Sequence, residues 1–484
     1  LPAGYDGAAF FTSVAQVSKV YKSANGYLLS SGSDDDTKLV LSAGIFKKVI
    51  PTNLDRKRMD MIMEGGHQVE GLYSALGKQM VRLRGHGGTG KTIMCLQAAW
   101  KLYEETGART LVLTYNLALA ADIRRLLVLL NVPSDPELGG IKVDTVMSFM
   151  YSWFRRLQLL EDDEDLSFDN YDAHCANATA MLKGGAITGG DVDAIKAGDQ
   201  FRYDFNSIVV DEAQDWPQEE ASLLKALYEP NTICLADGVD QLIRGKATNW
   251  DEGVPREARK IIPLQKCLRM KRNLSVFVNK LAGVGKVNWN IEPNNSAGGG
   301  TIKILLRPYQ DYQGLHQELL ASAMTMGNAE LDFLFCVPPS SVNSQGDKKE
   351  SDIAIFLKGL GAAVWDGVDP VTRKNFPRGT NEFRIVQYES CRGLEGWTVI
   401  LNKPDVYWES CKNDKLKTGM NDAERLALED IGELAIVSAW RRTLISLTRP
   451  LDTLVISLDD PESEFSSTLL DVARECSEFI EILE

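Results

Sequence analysis

Short apolar runs alternate with stretches of helical periodicity over most of the chain. Residues 81–83, 110–114, 141–143, 207–210 and 232–236 are apolar or β-branched and read as strands without a wet face. Between them, 93–105 and 118–130 space their apolar residues along one helical face. Strands buried on both faces and separated by helices predict a parallel sheet, with ligands gathering at the carboxyl ends of its strands. A second series begins near residue 264, with strands expected at 301–306, 331–337, 362–365, 383–387, 398–401 and 453–458. Helices are expected at 312–324 and 352–360 in this half. The expected fold class is α/β with two parallel-sheet domains. Residues 1–66 carry no chemical motif and read as an N-terminal segment of unknown role, with strand character at 38–50 and helical character at 54–63. The glycines at 298–300 read as a loop, and the acidic run 161–165 as a solvated one.

Composition narrows the function classes only slightly. The 484 residues suffice for two or three domains, and 44% hydrophobic with 25% charged residues is ordinary for a globular chain. No apolar run is long enough to cross a bilayer, so no membrane partner is expected. The chain starts at Leu1 without a basic-then-apolar leader, which leaves room for upstream sequence. Eight cysteines are scattered without a C-x-x-C pair, and there are four histidines. Disulfide and zinc frameworks are therefore not expected, and a reducing cytoplasmic location is. A net charge of −14 argues against a wide basic surface but leaves a narrow local groove open.

The candidate chemistry centres on the stretch from Val81 to Thr92, where a strand runs into a glycine-rich turn and a helix. Gly85, Gly90, Lys91 and Thr92 fit G-x-x-x-x-G-K-[ST], the phosphate-binding loop. Backbone N–H groups can wrap a phosphate only where no β-carbon blocks the approach, and a helix N-terminus adds favourable partial charge. The nucleotide-binding residues are thus Gly85, His86, Gly87, Gly88, Thr89, Gly90, Lys91 and Thr92. Lys91 would reach the β- and γ-phosphates, while the Thr92 hydroxyl would ligate Mg²⁺. Asp211-Glu212, at the end of another expected strand, supplies what a P-loop hydrolase needs next: Asp211 for Mg²⁺ and Glu212 to orient or deprotonate water.

These residues, with others in order, resemble a superfamily 1A motor of the UvrD/Rep/PcrA helicase type over residues 68–458. Thr114-Tyr115-Asn116 is similar to motif Ia and Thr145 to Phe149 to the T-x-H-S-F motif, with Met147 where His is usual. Asp211 to Asp215 is similar to motif II, and Leu235 to Gln241 to motif III, with the Asp237–Gln241 spacing one residue longer than usual. Leu264 to Asn273 resembles motif IV, Ser390 to Gly396 motif V, and Trp440 to Arg449 motif VI. The resemblance implies two RecA-like domains, 67–262 and 263–484, each with a large insertion in the family, whereas the lengths between motifs here predict a small first insertion at about 150–206 and an absent or vestigial second one. It implies ATP and Mg²⁺ as cofactors, hydrolysed with Lys91, Glu212, Gln241, Arg269 and Arg449 as catalytic residues. Glu395 is implied at the nucleotide sugar and Gln68 at the adenine. Leu268 replaces the aromatic residue that stacks on adenine in the family, which leaves ATP against GTP open.

The implied partner is single-stranded DNA, with RNA not excluded, contacted through Tyr115, Asn116 and Phe149. Trp153 with Arg155-Arg156 and Trp250 are further aromatic candidates, each equally readable as core. The implied activity is a nucleic-acid-stimulated ATPase that translocates 3′ to 5′. The reduced insertions make strand separation by this chain alone a weaker expectation than translocation. A nucleotide-gated sensor working with a nuclease or other protein partner is the competing reading. A P-loop kinase would leave motifs IV to VI unexplained.

Overall fold

The computed structural model describes residues 51–64, 67–133, 140–160, 170–239, 247–377, 379–420, 424 and 430–484. The strand character read at 38–50 and the acidic run 161–165 lie outside these residues.

The first sheet is six-stranded, parallel throughout, in the order β3-β2-β4-β5-β1-β6. Its strands are β1 (Met80–Gly85), β2 (Arg109–Thr114), β3 (Gly140–Thr145), β4 (Ser207–Val210), β5 (Ile233–Gly238) and β6 (Arg259–Leu264). The interior strands read as continuous apolar runs because both faces are covered. Helices α1 (Asn53–Glu64), α2 (His67–Tyr73), α3 (Lys91–Thr106) and α4 (Leu117–Leu129) contribute to the apolar cluster on one face. The other face packs on α5 (Val146–Arg156), α6 (Tyr171–Lys183) and α9 (Gln218–Leu227). Two short helices, α7 (Gly189–Gly198) and α8 (Gln200–Tyr203), lie between α6 and β4 in sequence. They and α6 fill most of the described part of the span read as a small insertion.

The second sheet is seven-stranded and also parallel, in the order β11-β12-β8-β13-β14-β7-β15. Its strands are β7 (Thr301–Leu305), β8 (Phe333–Val337), β11 (Ala363–Asp366), β12 (Glu382–Gln387), β13 (Gly396–Asn402), β14 (Pro450–Ser457) and β15 (Ile480–Leu483). An antiparallel hairpin of β9 (Val342–Gln345) and β10 (Lys348–Ser351) stands apart from it. Helices α11 (Gln313–Thr325) and α12 (Asp352–Gly359) pack on one face. Helices α10 (Arg272–Val284), α14 (Pro404–Thr418), α15 (Ile431–Leu447) and α16 (Glu464–Glu475) belong to the apolar cluster that continues into the first sheet. The four-residue α13 (Pro370–Arg373) follows β11. Two parallel α/β layers thus share one continuous core, as a pair of RecA-like sheets would.

Helix α1 forms where helical character was read, but it is not separate from the sheets. It lies in the same compact unit, residues 51–484. Its Asn53 and the preceding Thr52 bond Met326 O and Asp332 beside β8, at 2.8 and 2.7 Å. Four strands escaped the pattern: β9 and β10 of the hairpin, whose residues are mostly polar, and β6 and β15, which are sheet edges. β6 reads RKIIPL, with charges and a proline that an edge strand tolerates, and β15 reads IEIL with its glutamate outward.

Candidate functional site

The turn after β1 is shaped by its glycines. A β-carbon on Gly85 would lie 2.5 Å from Leu264 O, and Gly90 holds φ +82°, the left-handed region, with Leu268 2.9 Å from where a β-carbon would stand. Gly90 caps α3 without any side-chain hydrogen bond, and the first turn carries no acidic residue. The N–H groups opening α3 therefore present unneutralised positive partial charge. The loop is closed by the segment after β6 as well: the N–H groups of Leu268 and Arg269 both donate to Gly88 O, at 2.9 and 3.2 Å. The His86 ring lies against Trp289 at 5.3 Å, and the Thr89 hydroxyl donates to His86 O.

Lys91 turns its ammonium onto the carbonyls of Gly85 and His86, at 2.8 and 3.0 Å. Burial lowers its pKa, and the nearby Glu212 and Asp211 only partly offset this. Thr92 Oγ1 donates to Asp211 Oδ1 at 3.0 Å. Burial and the adjacent Glu212 push the Asp211 carboxyl up to about 6.

Glu212 sits at φ 49°, ψ 43°, a left-handed conformation that costs a non-glycine residue on the order of 1 kcal/mol or more. The turn is held there by its neighbours. Trp216 Nε1 donates to Asp211 O and Trp250 Nε1 to Ala213 O. Gln214 donates to Glu212 Oε2 at 2.7 Å and accepts from the Gly238 N–H at the end of β5. Burial opposes the Glu212 charge, but Arg392, Lys91 and the Gln214 bond outweigh it and hold the group below the ordinary carboxylate range.

The cationic half comes from the connection after β6 and from the second sheet. Arg269 donates to Glu395 Oε2 at 2.7 Å and to Thr448 O at 3.2 Å. Arg449 is only 2% exposed and bonds three neutral acceptors: Ile445 O, Leu394 O and Thr448 Oγ1. Among the described residues no carboxylate lies within ion-pair distance of it. Burial, with Arg269 beside it, pulls its pKa down to about 10. A buried cation paired only with dipoles is costly, and an anion in the cleft would relieve it. Arg392 crosses to the first sheet, 2.9 Å from Asp215 Oδ2 and 3.8 Å from Glu212 Oε2.

One cleft of about 520 Å³ is lined by Gly87, Gly88, Gly90 to Ile93, Asp211 and Glu212, and by Arg58, Arg269, Glu395 and Arg449. The residues present fit a Mg²⁺–nucleotide. Magnesium takes few protein oxygens and completes its shell with water and phosphate, and the adjoining Thr92 hydroxyl and buried Asp211 offer such a pair. Among the described residues there is no cluster of three metal-ligating side chains, so a site built wholly from protein is not present among them.

The other sequence candidates fall out differently. Phe149 is core, 1% exposed and packed 6.2 Å from the Tyr228 ring, so it is no stacking platform. Trp153 and Trp250 are likewise buried. Asn116 is engaged within the chain at both ends of its side chain. Its Oδ1 caps α4, and its amide donates to Ser390 O and Arg392 O in the second half at 2.8 and 2.6 Å. Tyr115 is part-exposed and edge-on to Trp216 at 5.5 Å. Gln241 and the Gln68 side chain lie outside the described residues.

Four participants went unread in the sequence: Arg58, Gln214, Arg392 as an inter-sheet pair, and Asn116 as an inter-sheet bolt. Gln214 and Arg392 lay inside quoted motifs, and only Arg58 had no signal at all.

No protein-family model and no curated protein matches the chain. Among solved structures, an arterivirus nonstructural protein 10 helicase in complex with DNA is similar at 12% identity and a TM-score of 0.33. The match covers 83% of this chain, which spans 65% of that chain's length.

Proposed function

We propose that this chain is a nucleic-acid-stimulated ATPase of the superfamily 1A type, moving 3′ to 5′ along single-stranded DNA. The observation that carries the reading is the meeting, in one cleft, of a phosphate-type loop and acidic pair from the first sheet with Arg269, from the connection after β6, and Arg449, which immediately precedes β14 of the second sheet.

Each group has a task its surroundings suit. The loop N–H groups and Lys91, which would exchange its carbonyl partners for phosphate oxygens, hold the nucleotide. Thr92 and Asp211 would hold Mg²⁺, which would supply neutralisation of phosphate charge. Glu212, kept ionised by Arg392 and Lys91, orients and deprotonates the attacking water. Arg449, with no carboxylate at ion-pair distance among the described residues, is suited to stabilise the negative charge spread over the transferring phosphoryl group. Such arginines contribute about 10³–10⁵ in rate. Because it adjoins the second sheet, hydrolysis requires closure, and closure is transmitted through Asn116 to the segment after β2 and through Arg392 to the acidic turn after β4.

The modest helical insertion α6–α8 and the β9–β10 hairpin favour translocation over independent strand separation. The test is ATP and GTP hydrolysis by wild type and Lys91→Ala with single-stranded DNA, duplex DNA and RNA. Stimulation by single strands that vanishes in the variant is expected. Hydrolysis indifferent to every nucleic acid would rule the motor out.

A further inference from the structure

The carboxylate that the family resemblance assigns to the nucleotide sugar is already shared by two guanidinium groups. Arg58 Nε lies 3.0 Å from Glu395 Oε1, and Arg269 Nε donates to Oε2 at 2.7 Å. Arg58 comes from α1, ahead of every recognised motif. Its other arm donates to Asp122 on α4 at 2.7 Å. Arg384 on β12 closes the set, donating to the Glu395 carbonyl at 2.7 Å and lying 4.0 Å from Asp122. The side chains are 8% exposed at Arg58, 9% at Glu395 and 15% at Arg269, so water screens these charges weakly.

The arrangement poses a problem that Arg58 solves. For Arg269 to reach a terminal phosphate it must loosen its hold on Glu395. A buried carboxylate stripped of its only partner is strongly disfavoured, and that would pin Arg269 in place. With Arg58 on the other oxygen, Glu395 keeps one cation when Arg269 leaves. Burial opposes the Glu395 charge, yet Arg269 and Arg58 together hold its pKa below the ordinary carboxylate range.

We propose that Arg58 is a positioning residue: it shares Glu395 with Arg269, so that Arg269 is held at the cleft yet released to the terminal phosphate of a nucleoside triphosphate. This rests on the reading of the cleft as a nucleotide site. It makes helix α1 part of the device that distinguishes triphosphate from diphosphate, because only the former offers Arg269 a new partner.

The experiment measures affinity for ADP and for a non-hydrolysable ATP analogue, with Mg²⁺, in wild type, Arg58→Gln, Glu395→Gln, the double variant and Arg58→Lys. Arg58→Gln is expected to weaken the analogue about tenfold, the scale of a buried charge coupling, and to leave ADP unchanged. In the Glu395→Gln background the Arg58→Gln penalty should disappear, since no carboxylate remains to trap Arg269. Arg58→Lys, which keeps the charge, should recover most of the loss and shows whether α1 still folds. Equal weakening of both nucleotides, or a penalty that persists without the Glu395 charge, would overturn the proposal. If wild type binds neither nucleotide, or Lys91→Ala binds both as well as wild type, the nucleotide-site reading itself fails and this proposal with it.

Discussion

Thr92 and Asp211 lie 119 residues apart in sequence and meet through a side-chain hydrogen bond of 3.0 Å. That contact joins the start of α3 to the end of β4, although β5 lies between β1 and β4 in the sheet. It also places a buried carboxyl, pushed up to about 6, where a divalent cation would need it ionised.

The pH dependence comes from that displacement. Asp211 binds its proton more tightly in the folded chain than at the ordinary value of 3.8. Its unfavourable contribution is therefore absent at pH 3 and grows as pH rises from about 4 to about 6. Above that it is present in full, on the order of 1–3 kcal/mol. Asp211→Asn should stabilise the Mg²⁺-free protein at pH 8 and give no gain at pH 3, as read by urea unfolding at both. In wild type, Mg²⁺-dependent nucleotide binding should weaken as pH falls through about 6.

Gly393 carries φ +74°, and a β-carbon there would fall 2.2 Å from Leu119 Cδ2 on α4. The two halves of the cleft approach each other closely at this point. Gly393→Ala should cost about 1–3 kcal/mol through backbone strain and overlap, and should reduce hydrolysis more than nucleotide binding. Adding Leu119→Ala should recover the overlap portion only. A Gly393→Ala protein with unchanged turnover would show that this approach is not needed.

Phe149 resembles a nucleic-acid contact by motif and is core by position. Phe149→Ala should destabilise by about 3–5 kcal/mol, whereas Phe149→Leu should keep DNA stimulation at close to the wild-type level. Chemical denaturation and DNA-stimulated hydrolysis of both variants distinguish the roles. A folded Phe149→Leu protein that had lost stimulation would restore the binding assignment.

What the sequence made legible was local, and what it hid was mutual. Strands such as 207–210 and the loop from Gly85 to Thr92 announce themselves through runs of consecutive residues. Their periodicity and glycine spacing carry the physics. Arg58 carries no such signal. Its importance comes from Asp122 and Glu395, one on another helix and one in the other sheet's half, and nothing in a run reading RKRMD separates it from Arg56 or Lys57. Asn116 and Phe149 show the converse. A motif singled out each position, while burial at Phe149 and a carbonyl 274 residues away at Asn116 set where each side chain is engaged.

The central claim is that an arginine from the second sheet completes a hydrolytic site built on the first. Its most direct test is the steady-state rate of ATP hydrolysis by wild type and Arg449→Ala, each with and without single-stranded DNA, alongside nucleotide affinity. Wild type should be strongly stimulated by single strands, while Arg449→Ala should bind nucleotide and turn over about 10³-fold more slowly or worse. An Arg449→Ala protein that hydrolyses ATP as fast as wild type under both conditions would contradict it.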